Sequence, residues 1–375
     1  MAERIVIAGI ATRALAESAS KAGYACVSID AFGDLDQKAR VDNVGLLRDL
    51  KRAYSPMAVV SVARRQQAEA CAYVSNLENH PRAVRRLAEG RRLLGNTPET
   101  LERARDFRAL SQAVGRAGAR TPRTAGPRET GSLPPGNWLR KPRRGGGGSG
   151  IGRWTPGEAV GPLEIVQEEI SGVVGSVSFV ADGSRSLRLG FCQGLAGDPA
   201  FGATGFRYCG NLHPLLLEPA LEDRLDTVVE EVTRSFALKG LNGLDFVVRD
   251  GEVFILELNP RYSASMELIE RRLGISLFEA HVGSCGGTLP RLPKAPSNGA
   301  TFGKAVLWAS RRLVMGDTRA LLGSDEVRDV PFPGETVPKG RPICTVFARG
   351  ADGAACYGGL VRAGEALLAR VSQSP

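Results

Sequence analysis

The sequence predicts a mixed α/β (α+β) chain, and three observations carry that expectation. Its first segment alternates short apolar runs with helical patterns, as a small parallel sheet does. Its middle holds apolar runs joined by Asp182-Gly183 and Asp250-Gly251, the signal of antiparallel hairpins. Between these two styles stands a glycine run, Gly145-Gly146-Gly147-Gly148-Ser149-Gly150. With 375 residues, two or three domains are expected at roughly 150 residues each.

Taken in order, Arg4 to Gly9 reads as a strand, Thr12 to Ala22 as a helix and Tyr24 to Asp30 as a second strand. Met57 to Val62 reads as a further buried strand, giving a βαβ pattern. Gly9 is not followed by the glycines of a dinucleotide fingerprint, because positions 11 and 14 are Ala. Thr97-Pro98-Glu99 is a helix start, with Thr97 as N-cap, and the helix is expected to continue through Phe107 and Leu110 to Gly115. After a turn-rich linker, Gly131 to Gly136, a short strand Trp138 to Lys141 empties into the glycine run. Strands are expected at Leu163 to Glu168, Gly175 to Ala181 and Ser186 to Gln193, then a helix at Leu221 to Leu238. A hairpin pairs Gly243 to Val248 with Glu252 to Leu258, and Ala264 to Leu273 is helical. Beyond residue 300, Thr301 to Ala309, Val327 to Val330 and Pro342 to Ala348 read as short strands of a small β-rich appendage.

Composition narrows the class. No apolar run approaches the roughly 18 residues of a membrane span, and the chain enters the run Ile5–Ala8 without a leader core, so a cytoplasmic protein is expected. Seven scattered cysteines without a C-x-x-C pair, and three histidines without ligand spacing, argue against structural zinc. A metal here should be a hard ion on oxygen ligands. Residues 1 to 150 hold 26 Lys+Arg and 14 Asp+Glu, a net of +12; the rest hold 23 and 26, a net of −3. Such asymmetry suits a polyanion held at the junction. Only eight of the basic residues are lysines, and Lys141 is the one beside the glycine run.

Successive glycines expose backbone N–H groups that can wrap phosphate oxygens, with Lys141 as a point charge on an inner phosphate. The lysine precedes the glycines, unlike a P-loop, and a flexible linker explains the run equally well. In the hairpin around Asp250-Gly251, Asp245 is expected to lie near Glu257, and Glu257 and Asn259, two apart, share a face. Two carboxylates and an amide oxygen in apolar strands call for a counter-ion and suit Mg²⁺ (or Mn²⁺) bridging nucleotide phosphates. Arg261 projects from the same rim and could stabilise phosphoryl charge. An ordinary hairpin with polar ends accounts for Asp250 but poorly for Glu257 inside an apolar run.

The order of basic strand and glycine loop, Val166-Gln167-Glu168-Glu169-Ile170-Ser171-Gly172, Leu244-Asp245-Phe246 and Glu257-Leu258-Asn259-Pro260-Arg261 resembles the ATP-grasp superfamily of carboxylate-amine ligases. The resemblance covers roughly residues 1 to 290. It implies an ATP-grasp fold: a Rossmann-like pre-ATP-grasp βαβ domain at 1–95, A/B subdomains with the glycine-rich loop at 96–205, a catalytic subdomain with the metal site at 206–300, and a β-rich segment at 301–375. Asn259-Pro260-Arg261, and Gly334 to Ile343 in the tail, are similar to the biotin-carboxylase and carbamoyl-phosphate-synthase branch. By the same resemblance Lys141 contacts the α/β-phosphates of ATP, and Gly146, Gly147 and Gly148 close over the triphosphate. Glu168, Glu169 and Ile170 form the hinge that recognises adenine, Asp245, Glu257 and Asn259 hold one or two Mg²⁺, and Arg261 steadies an acyl phosphate. The family's second ATP lysine is missing from Ala104 to Arg108, where Arg105 and Arg108 are the candidate, imperfect substitutes; the ribose acid is also missing, with Ser176 and Ser178 nearby instead.

The implied activity is formation of a C–N bond: ATP phosphorylates a carboxylate and an amine displaces the phosphate, with no protein nucleophile. Arg207, Tyr208, Asn211, His213, Tyr262, Ser263, Ser265 and Glu267 are the expected substrate contacts, although His213 reads equally well as a loop histidine before Pro214. Arg207 or Arg261 could take a carboxylate bidentately, hinting at glutamate. Arg261 to Ser265 and Phe206 to Pro214 are similar to methylotroph ATP-grasp proteins related to tyramine-glutamate ligase, which implies synthesis of a methanofuran-like C1 carrier. A homodimer is the family-level expectation. Two alternatives stand beside this reading: a carboxylase-like enzyme forming carboxyphosphate from bicarbonate, and a non-catalytic module binding nucleotide or RNA through Arg82 to Arg144. Few aromatics interleave that basic region, Phe107 and Trp138 only, so nucleic acid is the weaker expectation.

Overall fold

Four consecutive apolar residues, Ile5 to Ala8, are buried on both sides, as the central strand of a parallel sheet requires. In the computed structural model, which describes residues 3–293 and 299–373, they form β1 (Arg4–Ala8). It lies within a parallel sheet with β2 (Ala25–Asp30), β3 (Asp42–Gly45), β4 (Ala70–Tyr73) and β5 (Arg92–Leu94), in the order β3-β2-β1-β4-β5. This is the expected βαβ unit, with one correction. Met57 to Val62 is not a strand but part of the helix Pro56–Ala63. Ser55 caps that helix, accepting from the Ala58 N–H, and Pro56 occupies its first position, so a local start signal outweighs the β-branched valines. The expected long helix from Thr97 is also divided: Pro98–Ala104 ends, and Asp106 caps a second helix, Phe107–Arg116.

A small sheet follows, built from β6 (Thr124–Ala125), β7 (Trp138–Pro142), β8 (Gly152–Trp154) and β9 (Glu164–Glu168), ordered β6-β9-β7-β8. Trp138, Trp154 and Val166 form its core. The remaining chain builds β10 (Val173–Asp182), β11 (Ser186–Ala196), β12 (Tyr208–His213), β13 (Lys239–Arg249), β14 (Glu252–Asn259), β15 (Thr301–Trp308), β16 (Leu313–Met315), β17 (Val327–Arg328), β18 (Thr336–Val337), β19 (Pro342–Gly350) and β20 (Ser372–Gln373). Eight of these form one sheet, β14-β13-β10-β11-β12-β15-β19-β17. The C-terminal segment is β-rich as expected, and its β15, β17 and β19 continue this large sheet. A 19-residue helix, Gly353–Val371, packs on them and was not anticipated.

One face of the large sheet buries Val177, Phe179, Leu244 and Phe246 under the helices Phe107–Arg116 and Pro219–Phe236. The opposite side receives the parallel domain through a core that joins Ile5 and Ile7 to Leu241, Met266 and Phe278. A buried ion cluster fastens the same junction. Arg13 donates to Glu267 Oε2 at 3.1 Å and to Asp329 Oδ1 at 2.8 Å, while Lys304 Nζ donates to Glu267 Oε2 at 2.8 Å. Burial alone would raise the Glu267 carboxyl, but Arg13 and Lys304 outweigh it and hold the group well below its ordinary range. Glu267 is therefore a clamp residue between domains, not the substrate contact expected of it. All seven cysteines are free thiols, and no helix among the described residues is long and apolar enough to cross a membrane.

Two outcomes follow for stability. Arg13→Ala leaves Glu267 and Asp329 short of a buried partner and should cost on the order of 3–5 kcal/mol in urea unfolding. His281 Nδ1 accepts from the Leu241 N–H at 2.9 Å and its Nε2 lies 3.2 Å from the Leu94 carbonyl. Burial lowers its pKa to about 4. An unfolded histidine protonates near 6.5, so the unfolded state binds more protons between these values and stability falls as pH drops through that window. Melting temperatures followed from about pH 7 to 4.5 should decline less steeply in His281→Gln than in the wild type.

Candidate active site

The hairpin β13–β14 turns at Asp250 (φ 52°) and Gly251 (φ 74°), the positive-φ pair of a tight hairpin. Its register sets Asp245 opposite Glu257, Gly243 opposite Asn259 and Phe246 opposite Ile255. The register shifts between Asp245 and Phe246, leaving Leu256 as an extra residue, a β-bulge. The bulge explains how an apolar run can hold Glu257. In a regular strand Ile255 and Glu257 would share a face; with one residue inserted, Ile255 joins the helix-covered core with Phe246 while Glu257 faces Asp245 on the other side.

The three expected ligands do come together. Asn259 Nδ2 donates to Asp245 Oδ2 at 3.0 Å and to Glu257 Oε1 at 3.3 Å. Burial, and then the neighbouring Glu257 charge, push Asp245 up to about 7. Glu257 moves the other way: burial would raise it, but the Lys141 ammonium and the Arg105 guanidinium hold it below the usual range. Lys141 on β7 also donates to Gln167 Oε1 at 2.9 Å. Arg261 is buried and fully engaged, with Nε on Glu78 Oε1 at 2.8 Å and its two terminal nitrogens on the Tyr262 carbonyl and Asn259 Oδ1.

The glycine loop is tied to the start of β12 and to the turn after β4. The Tyr208 N–H donates to the Gly147 carbonyl at 3.0 Å, and Asn79 Nδ2 donates to the Gly145 carbonyl at 3.0 Å. Gly148 has φ +73°, and a Cβ there would stand 1.7 Å from the Phe206 carbonyl oxygen, so the loop rests on the start of β12 only as glycine. A cleft of about 620 Å³ is bordered by Phe107, Arg108, Thr124, the bulged Leu256 and Gln167, the partner of Lys141, and is not lined by Asp245, Glu257 or Asn259. Glu168 and Glu169 border a separate cavity of about 230 Å³ with Asn137, Trp138 and Arg249; Ile170 borders neither. Of the two candidate replacements for the missing lysine, Arg105 lies against Glu78 and lowers Glu257 through its charge, whereas Arg108 pairs with Glu129.

The expected substrate residues divide. Ser263 and Ser265 lie 3.1 Å apart by their hydroxyls, Ser265 meets Ser176 and Ser178 at 3.5 Å, and Ser176 pairs in register with Asp245. Asn211 is held by the Tyr208 hydroxyl at 2.6 Å and donates to the Gln193 carbonyl. Arg207 stacks on Trp308, its guanidinium carbon 4.6 Å from the ring centroid. His213 is buried, hydrogen-bonded from Nδ1 to the Phe191 carbonyl at 2.9 Å and lowered to about 4 by burial, which makes it a neutral packing residue. Sequence reasoning missed Glu78, the Lys141 partner Gln167 and the bulge. Pairing of Glu78 across 183 residues leaves no local signal.

Residues 104–265 match the model of the ATP-grasp domain family. The chain has an ATP-grasp fold. Solved structures agree in shape: biotin carboxylase from Campylobacter jejuni, in an ATP complex, superposes with TM-score 0.72 at 16% identity over 96% of this chain and 90% of that one. The biotin carboxylase domain dimer of Hydrogenobacter thermophilus 2-oxoglutarate carboxylase, with MgADP, ADP and bicarbonate, gives 0.74 at 15% over 100% and 91%. By sequence, an uncharacterized protein of Methanocaldococcus jannaschii is 28% identical over 142 residues, 38% of this chain and 34% of that one. The carbamoyl phosphate synthase large chain of Thermoplasma acidophilum is 37% identical over 62 residues, 16% of this chain and 6% of that one. The chain thus matches about a third or less of the length of these curated relatives.

Among the described residues no three of His, Cys, Asp and Glu gather as a metal cluster. The hairpin instead offers two facing carboxylates and an amide, with Asp245 raised by burial and by the neighbouring Glu257. That donor set fits a hard divalent cation whose remaining ligands are phosphate oxygens. Removing one carboxylate should therefore separate stability from binding. Asp245→Asn is expected to melt roughly a few degrees higher than wild type without metal, since like-charge repulsion is relieved, and to lose Mg²⁺-dependent ADP binding in calorimetric titration.

Proposed function

We propose that the chain is an ATP-dependent, ADP-forming carboxylate–amine ligase working through an acyl phosphate. The observation that carries this reading is the bulge that turns Glu257 onto Asp245, with Lys141, Arg105 and Arg261 gathered at the same face. In this reading Lys141 and Arg105 bind phosphate oxygens, and the glycine loop covers them. Asp245, Glu257 and Asn259 hold Mg²⁺ (or Mn²⁺), which neutralises charge as the phosphoryl group passes between oxygens. Glu168, Glu169 and Ile170 serve as the hinge toward adenine. Arg261 steadies the acyl phosphate, and Ser263, Ser265 and Asn211 face the acid. Joining glutamate to an amine for a methanofuran-like C1 carrier is the specific form of the proposal; it rests on the Arg261 to Ser265 and Phe206 to Pro214 segments alone. A homodimer belongs to the same reading, supported by the structural neighbour described as a dimer.

A carboxyphosphate-forming reaction on bicarbonate is the second reading, favoured by the likeness to biotin carboxylases. An ADP-release screen of amino acids and amines with Mg²⁺, alongside bicarbonate alone, separates the two. Amine-dependent release is expected. Glu257→Ala and Lys141→Ala should each lower turnover by about a hundredfold or more, and undiminished turnover in Glu257→Ala would remove the metal assignment. Bicarbonate-dependent release without any amine would favour the second reading.

A further inference from the structure

The glycine loop rests on three consecutive residues, Phe206, Arg207 and Tyr208, at the end of the connection from β11 to β12. Gly147 accepts from the Tyr208 N–H at 3.0 Å, and Gly148 lies against the Phe206 carbonyl. One side chain from a distant part of the chain grips this seat. Trp308, the last residue of β15, donates from Nε1 to the Tyr208 carbonyl at 3.2 Å, and its ring carries the Arg207 guanidinium carbon 4.6 Å from the centroid. Its backbone closes on the same connection, since a Cβ at Gly202 would stand 2.2 Å from the Trp308 carbonyl oxygen. The C-terminal helix adds a second hold: Tyr357 Oη donates to Asp198 Oδ2 at 2.8 Å, and its ring meets Phe201 edge-on at 5.8 Å.

An irregular connection has many poses to lose, and a contact made by its backbone is only as firm as that backbone is fixed. Gly147 and Gly148 bring no side chain to the contact, so its strength depends on where the Phe206 carbonyl and the Tyr208 N–H stand. Internal bonds such as Gly197 N–H to the Arg207 carbonyl, at 2.8 Å, shape the connection, whereas Trp308 holds both neighbours of Phe206. We infer that Trp308 is a positioning residue for the glycine loop: it fixes the seat at residues 206–208 and thereby sets how firmly the loop is held over the nucleotide phosphates. The seat stands on these contacts, and the covering of phosphates rests on the ligase reading. Trp308 lies outside residues 104–265, which match the ATP-grasp family, so by this contact the C-terminal segment acts on nucleotide handling. A loosened seat lets the loop lift more often, so nucleotide escapes and water reaches the acyl phosphate before the amine does.

The Tyr208 amide reports the contact, because its proton is the one given to Gly147. Amide hydrogen exchange on the full-length protein without nucleotide should find it at least about fivefold faster in Trp308→Leu, which loses both the stack and the donor. Amides of β15 and β19 should keep their rates. Trp308→Phe keeps a ring and should fall between, and Arg207→Met, which removes the stacked cation, is read in the same way and carries the test if Trp308→Leu does not fold. Gly148→Ala breaks the contact from the loop's side, so adding Trp308→Leu to it should speed Tyr208 exchange little further. In turnover with ATP, Mg²⁺ and the acid and amine found by the ADP-release screen, Trp308→Leu should raise both the KM for ATP and the ratio of ADP released to amide formed by about fivefold or more. Unchanged Tyr208 exchange in Trp308→Leu and Arg207→Met, an equal rise across β15 and β19, or full additivity with Gly148→Ala would overturn the positioning role. An unchanged ratio of ADP to amide despite faster Tyr208 exchange would overturn its link to the phosphates. Absence of ADP release from the wild type with every acid, alongside the expected exchange, would keep the seat and reject the ligase reading.

Discussion

The junction between the parallel domain and the large sheet depends on one buried guanidinium. Arg13 enters from the first helix and meets Glu267, which follows the β13–β14 hairpin, and Asp329, which directly follows β17. Lys304 completes the group and also holds the Ala264 carbonyl, in the segment that continues from Arg261. Charges so deep are tolerated because each is matched; removal of any one leaves the others without compensation. The cluster draws together chain segments separated by more than 300 residues. The segment that matches the ATP-grasp family ends at residue 265, two residues short of Glu267, so that segment alone lacks the interaction that holds its neighbours in place.

What the sequence disclosed was what chemistry concentrates locally. Asp-Gly turns announced the hairpins, Thr97-Pro98 a helix start, and Glu257 an anomaly in an apolar run. The structural cause of that anomaly was not legible, since a bulge leaves no composition signal at Leu256. Helix Pro56–Ala63 was misread because its valines have strand preference, and the deciding cap, Ser55, is one hydroxyl. Glu78 was invisible for a different reason: it gains meaning only where two domains meet.

The charge asymmetry between halves also acquires a finer meaning. Much of the N-terminal arginine excess is consumed within the fold, as with Arg91, whose guanidinium serves backbone carbonyls of Ala63, Gln66, Ala68 and Leu87. Other members close surface pairs, such as Arg85 with Glu99. Lys141 and Arg105 differ from these in that both act on the Glu257 carboxylate. A focused positive pair in a low-dielectric cleft acts more strongly on a phosphate than a broad basic face would.

The glycine run contains two separate demands. At Gly148 a side chain is excluded by the Phe206 carbonyl, so the resting pose dictates the residue. At Gly146, where an added Cβ would meet nothing within 4 Å, the resting pose dictates nothing. A residue that is free in one pose and still glycine contributes chain entropy instead of fit. Drift at position 146 would thus stiffen the chain without displacing the loop from its contacts, whereas drift at 148 would abolish the place where it rests.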